Sequence, residues 1–176
     1  MGETSKAVVS SHSSSSAEAA PGRAGIEAAC HVATTIEDVS VHHEIRRAVF
    51  VEEQGIFRGS DRDELDDDPS TIKVLGVGGG IAGGAVRLYP LEEPGLWRGD
   101  RLAVLPAFRK HGLGGPLVRF AVRTAGERGG ELMVAFIQPQ NVEFFRRLGW
   151  RPTGIPREHV GLPHQRMVID LERVSH

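Results

Sequence analysis

The stretch WRGDRLAVLPAFRKHGLGGPLVRFAVRTAGER, residues 97 to 128, reads as strand, short glycine loop and helix. Arg101-Leu102-Ala103-Val104-Leu105 is a short apolar run closed by Pro106, the pattern of a buried strand. Leu117, Val118, Phe120, Ala121, Val122 and Ala125 then recur at roughly helical spacing, with Arg119, Arg123, Glu127 and Arg128 between them. Pro116 falls in the first turn of that helix, where its missing N–H costs little. The glycines between strand and helix allow a tight turn and a close approach of backbone to a ligand. The N-terminus of a helix offers unpaired N–H donors and a partial positive charge, so this junction suits phosphate groups.

The loop lacks the Gly-Lys-Ser/Thr ending of a P-loop and the Gly-x-Gly-x-x-Gly order of a dinucleotide site. Arg109-Lys110-His111-Gly112-Leu113-Gly114 instead resembles the Arg/Gln-x-x-Gly-x-Gly/Ala loop of the GCN5-related N-acetyltransferases. An ordinary glycine-rich turn would read the same over six residues. Further blocks extend the resemblance: Ala103-Val104-Leu105-Pro106 upstream, and Asn141-Val142-Glu143-Phe144-Phe145-Arg146-Arg147-Leu148-Gly149-Trp150 downstream. Arg46-Arg47-Ala48-Val49-Phe50-Val51-Glu52-Glu53-Gln54 resembles the Arg-x-x-Val-Phe-x-x-Glu-Gln first helix of one subgroup. Gly161-Leu162-Pro163-His164-Gln165-Arg166-Met167 looks like the same subgroup.

Around these blocks the chain orders itself as a mixed α/β domain. Residues 1–25, rich in Ser, Ala and Gly, read as a disordered tail, and 26–176 as one domain with enough apolar residues for a core. The tail has no apolar signal-peptide core, and Lys6 stands where a myristoylation motif wants Ser or Thr. Glu27–Ala33 is a weak first strand. Thr35 can cap a helix that runs to about Val51 and sets Val41, Ile45, Ala48 and Val49 on one face. Thr71–Val77 and Ile81–Tyr89 form a hairpin about Gly78-Gly79-Gly80, and Leu91–Gly99 reads as a loop. Leu132–Gln138 is a central strand, Asn141–Leu148 a short helix, Trp150–Gly154 a strand and His164–Leu171 the last strand. The pattern gives a mixed sheet with helices on both faces. The resemblance implies a mostly antiparallel sheet of the acyl-CoA N-acyltransferase kind. Its one parallel pair, Arg101–Leu105 beside Leu132–Gln138, splays to admit acetyl-CoA.

The resemblance also implies roles. Backbone N–H groups near Leu102, Ala103 and Val104 would hold the thioester oxyanion. Those of His111, Gly112, Leu113, Gly114 and Gly115 would carry the pyrophosphate, with Arg109 and Lys110 adding charge at the mouth. Asn141 would face the pantetheine arm. The family often has a tyrosine beside the CoA sulfur as general acid; here that position is Phe145, which has no proton to give. Glu53, His164 and Asp100 are candidate bases, with an ordinary polar helix face, a structural histidine and a turn residue as the plain alternatives.

The implied activity is acetyl transfer from acetyl-CoA to a small-molecule or peptide amine by direct attack. An acyl-homoserine-lactone synthase-like acyltransferase keeps the fold but changes the chemistry, and a non-catalytic CoA-binding sensor would also tolerate Phe145. The six acids from Asp61 to Asp68 read either as a solvated run or as a rim that attracts a cationic amine. A formal net charge of −2 gives no general reason for nucleic acid or anionic membrane as partners. One cysteine, Cys30, excludes an internal disulfide framework and fits a cytoplasmic setting. His and acids are scattered, without metal-ligand spacing. The last strands of such folds often pair, which leaves a homodimer open.

Overall fold

In the computed structural model, residues 27–172 are described; the tail expected over residues 1–25 lies outside them. The order is β1 (Ala28–Val32), α1 (Ile36–Arg46), β2 (Ile72–Gly78), β3 (Ile81–Pro90), β4 (Leu96–Val104), α2 (Pro106–Arg109) and α3 (Gly114–Glu127). There follow β5 (Leu132–Ile137), α4 (Val142–Arg147), β6 (Arg151–Pro152), β7 (Arg157–His159) and β8 (Leu162–Asp170). The strands lie in the order β1-β2-β3-β4-β5-β8-β6, with β7 hydrogen-bonded to β8. Each described pair is antiparallel except β4 with β5.

Strand alternation builds a core on each face. Val74 and Val86 point toward Leu117, Val118 and Ala121 of α3, while their neighbours Leu75 and Ala85 point toward Ile45 of α1 and Val49 just beyond it. Two glycines of β3 permit close packing. A Cβ on Gly84 would lie 2.5 Å from Leu117, and one on Gly83 would lie 2.2 Å from the Phe108 ring. The β2–β3 turn places Gly79 and Gly80 at φ 58° and 81°, the conformation a two-residue hairpin requires.

Thr35 caps α1 by accepting from the Asp38 N–H. Past Arg46 the helix widens into a π-helical segment, Arg47–Glu53, which carries the chain two residues beyond the expected end at Val51. Other boundaries differ from the sequence reading, most by one residue. Leu96–Gly99 is strand rather than loop, because Arg98 and Asp100 interrupt the apolar pattern that marks a strand. The parallel contact therefore falls on Leu96–Arg98 rather than Arg101–Leu105. The segment after Trp150 forms only the two-residue β6, and β7, too short to show a periodicity, is an addition. The last strand begins at Leu162 rather than His164.

The acidic stretch departs most from expectation. Asp61 and Asp66 are buried, and Arg46, itself fully buried, joins them. Arg46 Nε donates to Asp61 Oδ2 at 2.7 Å, Nη1 to Asp66 Oδ1 at 2.6 Å and Nη2 to Asp66 Oδ2 at 3.0 Å. Arg87, also fully buried, holds Asp63 and Asp100 in bidentate pairs, and Arg101 reaches Asp61 and Asp63. Half of the run is thus an internal clamp tying the loop to α1, β3 and β4. Only Glu64, Asp67 and Asp68 remain as exposed acids without an arginine within 3.5 Å.

His42 makes stability pH-dependent. It is fully buried, its Nε2–H donates to the Val86 carbonyl at 3.0 Å, and its Nδ1 has no partner. Burial, aided by the nearby charges of Arg46 and Lys73, pushes its pKa down to about 3 against the Val86 hydrogen bond. The unfolded chain takes up this proton below the ordinary value of 6.5 while the folded protein does not. Stability should therefore be undiminished above that pH and fall by up to about 1.4 kcal/mol per pH unit below it, levelling off near pH 3. Urea unfolding at pH 7, 6 and 5 measures the slope. His42→Gln, which keeps a donor, should flatten it; an unaltered slope would assign the acid sensitivity elsewhere.

Candidate active site

The pairing between β4 and β5 lasts for three residues only: Leu96 with Leu132, Trp97 with Met133 and Arg98 with Val134. Beyond them the strands part and a cavity opens. Gly99–Leu102 line one edge of it and Ala135–Gln138 the other. Val118, Ala121 and Phe145 close it on the α3 side, and Phe50, Phe57, His159 and His164 line it too.

At this edge β4 carries a bulge. Ala85 pairs with Ala103 but Arg87 pairs with Asp100, so Val86 faces both Arg101 and Leu102. Arg101 sits at φ 52°, a left-handed conformation that costs a non-glycine residue about 1 kcal/mol. Its guanidinium is held by the Asp61 carbonyl at 3.1 Å and lies over the Phe57 ring at 4.5 Å. The bulge reverses the alternation of the strand, so that Trp97 before it and Leu102 and Val104 after it all pack on the α3 core. It also removes one residue from the regular ladder. Of the three residues expected near the oxyanion, Leu102 lines the cavity. Ala103 is buried against the α1 core, and Val104 packs on the α3 side.

The glycine loop is tighter than its sequence suggests. Pro106–Arg109 forms a single turn, α2, before it. The His111 N–H donates to the Phe108 carbonyl at 3.3 Å and the Gly112 N–H to the Arg109 carbonyl at 3.2 Å. These two expected donors are therefore already used. The N–H groups of Leu113, Gly114 and Gly115 have no acceptor among the described residues; Pro116 has none to offer, and the helical bonding resumes with Leu117 N–H to Leu113 O. Gly112 takes φ 70° to bring the chain into the helix. Arg119, not singled out in the sequence, folds back over this end: a Cβ on Gly115 would lie 3.1 Å from its Nη2.

Arg109 is not free at the mouth. Its Nε donates to the Val104 carbonyl at 2.9 Å, and its two terminal nitrogens hold both carboxylate oxygens of Glu53. That hydrogen-bonded pair lowers the Glu53 pKa. Glu53 does not line the cavity. Lys110 is exposed beside the loop. The structure thus separates the two expected catalytic residues, with Glu53 pinned beside the loop and His164 on the cavity wall.

Asp100 lines the cavity but is fully engaged, by Arg87 at 2.7 and 2.8 Å and by the Tyr89 hydroxyl at 3.1 Å. His164 is 9% exposed. Its Nδ1 lies 2.9 Å from the Leu162 carbonyl, which can only accept, so in the neutral ring Nδ1 carries the proton and Nε2 keeps a lone pair. His159, which no motif marked, meets His164 edge to face at 5.2 Å and stacks on Phe136 at 5.4 Å. Burial, then the charges of Arg98, His164 and Arg101, lower the His159 pKa. Its signal in the sequence was slight, a lone histidine five residues before His164.

On the α3 side Asn141 stands at the head of α4 and lines the cavity. Phe145, 6% exposed, packs edge to face on Trp150 at 5.4 Å, and the Trp150 indole N–H is buried without a partner. Phe144 reaches the loop, its ring 3.4 Å from where a Gly114 Cβ would lie. Among the described residues, no group of three His, Cys, Asp or Glu side chains is placed to hold a metal ion.

The comparisons agree with this geometry. The profile of the Acetyltransferase (GNAT) domain matches residues 68–152. A chain of Bacillus subtilis (strain 168), bearing a provisional acetyltransferase name, is 30% identical over 132 residues, 74% of this chain and 88% of its own. A crystal structure of a provisionally assigned N-acetyltransferase from Lactobacillus plantarum superposes with TM-score 0.73 at 23% identity, over 82% of this chain and 99% of that one. The CoA-dependent acyl-homoserine lactone synthase BjaI, solved with SAM and isopentyl-CoA, superposes with TM-score 0.66 at 21% identity, over 85% of each chain. On these matches the chain belongs to the GNAT family of N-acetyltransferases.

Proposed function

We propose that this enzyme transfers the acetyl group of acetyl-CoA to a small-molecule amine by direct attack. The observation that carries the reading is the parting of β4 and β5 after Arg98 and Val134, with one cavity touching both α3 and the histidine wall. The open N–H groups of Leu113–Gly115 suit the pyrophosphate, with Arg119 above them and Lys110 beside them. The Asn141 side supports the pantetheine arm, and the thioester lies across the bulge near Leu102. The neutral amine nitrogen bonds to the acetyl carbon, and the carbonyl oxygen gains charge that a bulge N–H stabilises. The C–S bond breaks as the tetrahedral intermediate collapses. The nitrogen's surplus proton passes to Nε2 of His164, whose proton on Nδ1 stays with Leu162. CoA departs as thiolate and takes a proton from solvent, since Phe145 supplies none. His164 is favoured over the other candidates because Glu53 and Asp100 have committed oxygens.

A panel of amines assayed for thiol release from acetyl-CoA tests the reading. His164→Ala should lower kcat about 100-fold or more with the KM for acetyl-CoA little changed. Unimpaired kcat in that variant would remove His164 as base. No thiol release with any amine would leave a binding protein instead of an enzyme. The lactone-synthase alternative shares the fold, and BjaI is itself CoA-dependent, so the loop does not separate the two. S-adenosylmethionine therefore belongs in the panel, with lactone formation as its readout.

A further inference from the structure

Charge balance around the cavity sets Arg98 apart. Arg46, Arg87, Arg101 and Lys73 face Asp61, Asp63, Asp66 and Asp100, four cations against four carboxylates. Each of those arginines has carboxylate oxygens within 3.4 Å. Arg98 follows Trp97 on β4, on the opposite face of the strand, and lines the cavity. Its guanidinium carbon lies 4.8 Å above the Phe136 ring, its Nε is buried with no hydrogen-bond acceptor, and no carboxylate among the described residues pairs with it. Arg98 is only partly exposed, and a guanidinium drawn partly out of water loses hydration that an anion and acceptors would replace. The ring below it contributes cation–π attraction but no acceptor for the Nε–H. The charge of Arg98 is felt at His159 on this wall, while Asp100, two residues on, is held by Arg87 and the Tyr89 hydroxyl. The remaining walls on this side are Phe50, Ile56, Phe57 and Phe136.

We propose that the acetyl acceptor is an α-amino carboxylate with an apolar or aromatic side chain, and that Arg98 binds its carboxylate. This rests on the acetyl-transfer reading above. In such a substrate only one carbon separates the carboxyl group from the amine, so a carboxylate on Arg98 puts the amine beside the His159 and His164 wall. The guanidinium offers parallel N–H donors that match two carboxylate oxygens, and the phenylalanine rings accept the side chain. An acidic rim gathering a cationic amine is no longer needed, since the acids nearest the cavity are paired with arginine.

The test uses the full chain with acetyl-CoA and four acceptors: L-phenylalanine, L-leucine, L-phenylalaninamide and 2-phenylethylamine. Wild type should prefer L-phenylalanine over its amide by about 100-fold in kcat/KM, the scale of a charge-assisted bidentate contact. Arg98→Gln should raise the KM for L-phenylalanine about 30-fold or more on the same scale, leaving kcat within about threefold. It should erase the preference over the amide and leave the KM for acetyl-CoA and the Tm as they were. Arg98→Lys, which keeps the charge but not the fork, should recover part of the preference. Equal use of the acid, amide and amine by wild type would overturn the proposal while acetyl transfer stands. So would an equal loss toward all acceptors in Arg98→Gln, which would mark a structural arginine. Absence of thiol release with these acceptors and with the wider amine panel would instead strike the acetyl-transfer reading itself.

Discussion

Arg46→Ala is expected to destabilise the fold by about 3–5 kcal/mol, the cost of removing one partner from a buried ion pair. The side chain is fully buried and hydrogen-bonded to Asp61 and Asp66, whose carboxylates are themselves almost wholly inaccessible. Alanine would leave two buried aspartates, with Arg101 and Arg87 as their remaining cations. Burial alone would push the Asp66 carboxyl up; hydrogen bonds from Arg46 and the Asp63 backbone and the charges of Arg46 and Arg87 hold it far below the usual range. A carboxyl depressed on folding adds stability above its unfolded pKa of about 4, and that stability is lost as pH falls toward the folded value. Urea unfolding at pH 7 should therefore show the large loss, with a weaker acid dependence below pH 4. Arg47→Ala is the control: its 3.5 Å pair with Glu52 and its 2.7 Å hydrogen bond to the Gly59 carbonyl are both exposed, and the change should cost about 1 kcal/mol. Equal effects at both positions would mean that the clamp contributes nothing beyond an exposed pair. Because Asp66 belongs to the same clamp, Asp66→Asn should act on stability rather than on any encounter with substrate.

Gly114→Asp should weaken acetyl-CoA binding at least about 100-fold, or roughly 2.7 kcal/mol, while the fold keeps its stability. Gly114 is the first residue of α3, and its N–H is one of three left without an acceptor. A Cβ there would meet the Phe144 ring at 3.4 Å and a Val104 methyl at 3.9 Å, ordinary contacts that need no rearrangement. An acid in the first turn is favourable to the helix, and replacing a helical glycine gains a further fraction of a kcal/mol. The carboxylate would nevertheless sit on the donors proposed for the pyrophosphate and repel it. Gly112→Asp mixes two effects, because φ 70° penalises any side chain. Arg109→Ala should alter affinity far less, since its guanidinium is spent on Glu53 and the Val104 carbonyl. Calorimetric titration beside a thermal melt separates binding from folding. Unchanged affinity in a stable Gly114→Asp protein would remove the loop from the CoA site.

The central strand, glycine loop and helix were legible because their determinants are local. Helical spacing from Leu117 to Ala125, a proline in the first turn and glycines before it depend on no distant residue. The mixed sheet, the hairpin at Gly79–Gly80 and the Thr35 cap followed for the same reason. Ends of strands were less legible wherever charged residues belong to a strand: Arg98 and Asp100 broke the apolar pattern of β4 because they face the cavity and its charge network.

The sequence by itself determined the fold class, since backbone conformation and apolar periodicity are properties of neighbours in the chain. Tertiary structure alone decided what each charge is for. Asp61 meets Arg46 across 15 residues and Arg101 across 40, and Glu53 meets Arg109 across 56. Those distances turn an acidic run into a clamp and an expected base into the partner of a loop arginine. The same folding brings His159 against His164 and leaves Arg98 without a carboxylate among the described residues, because the pairing of charges depends on proximity in space, which no local pattern encodes.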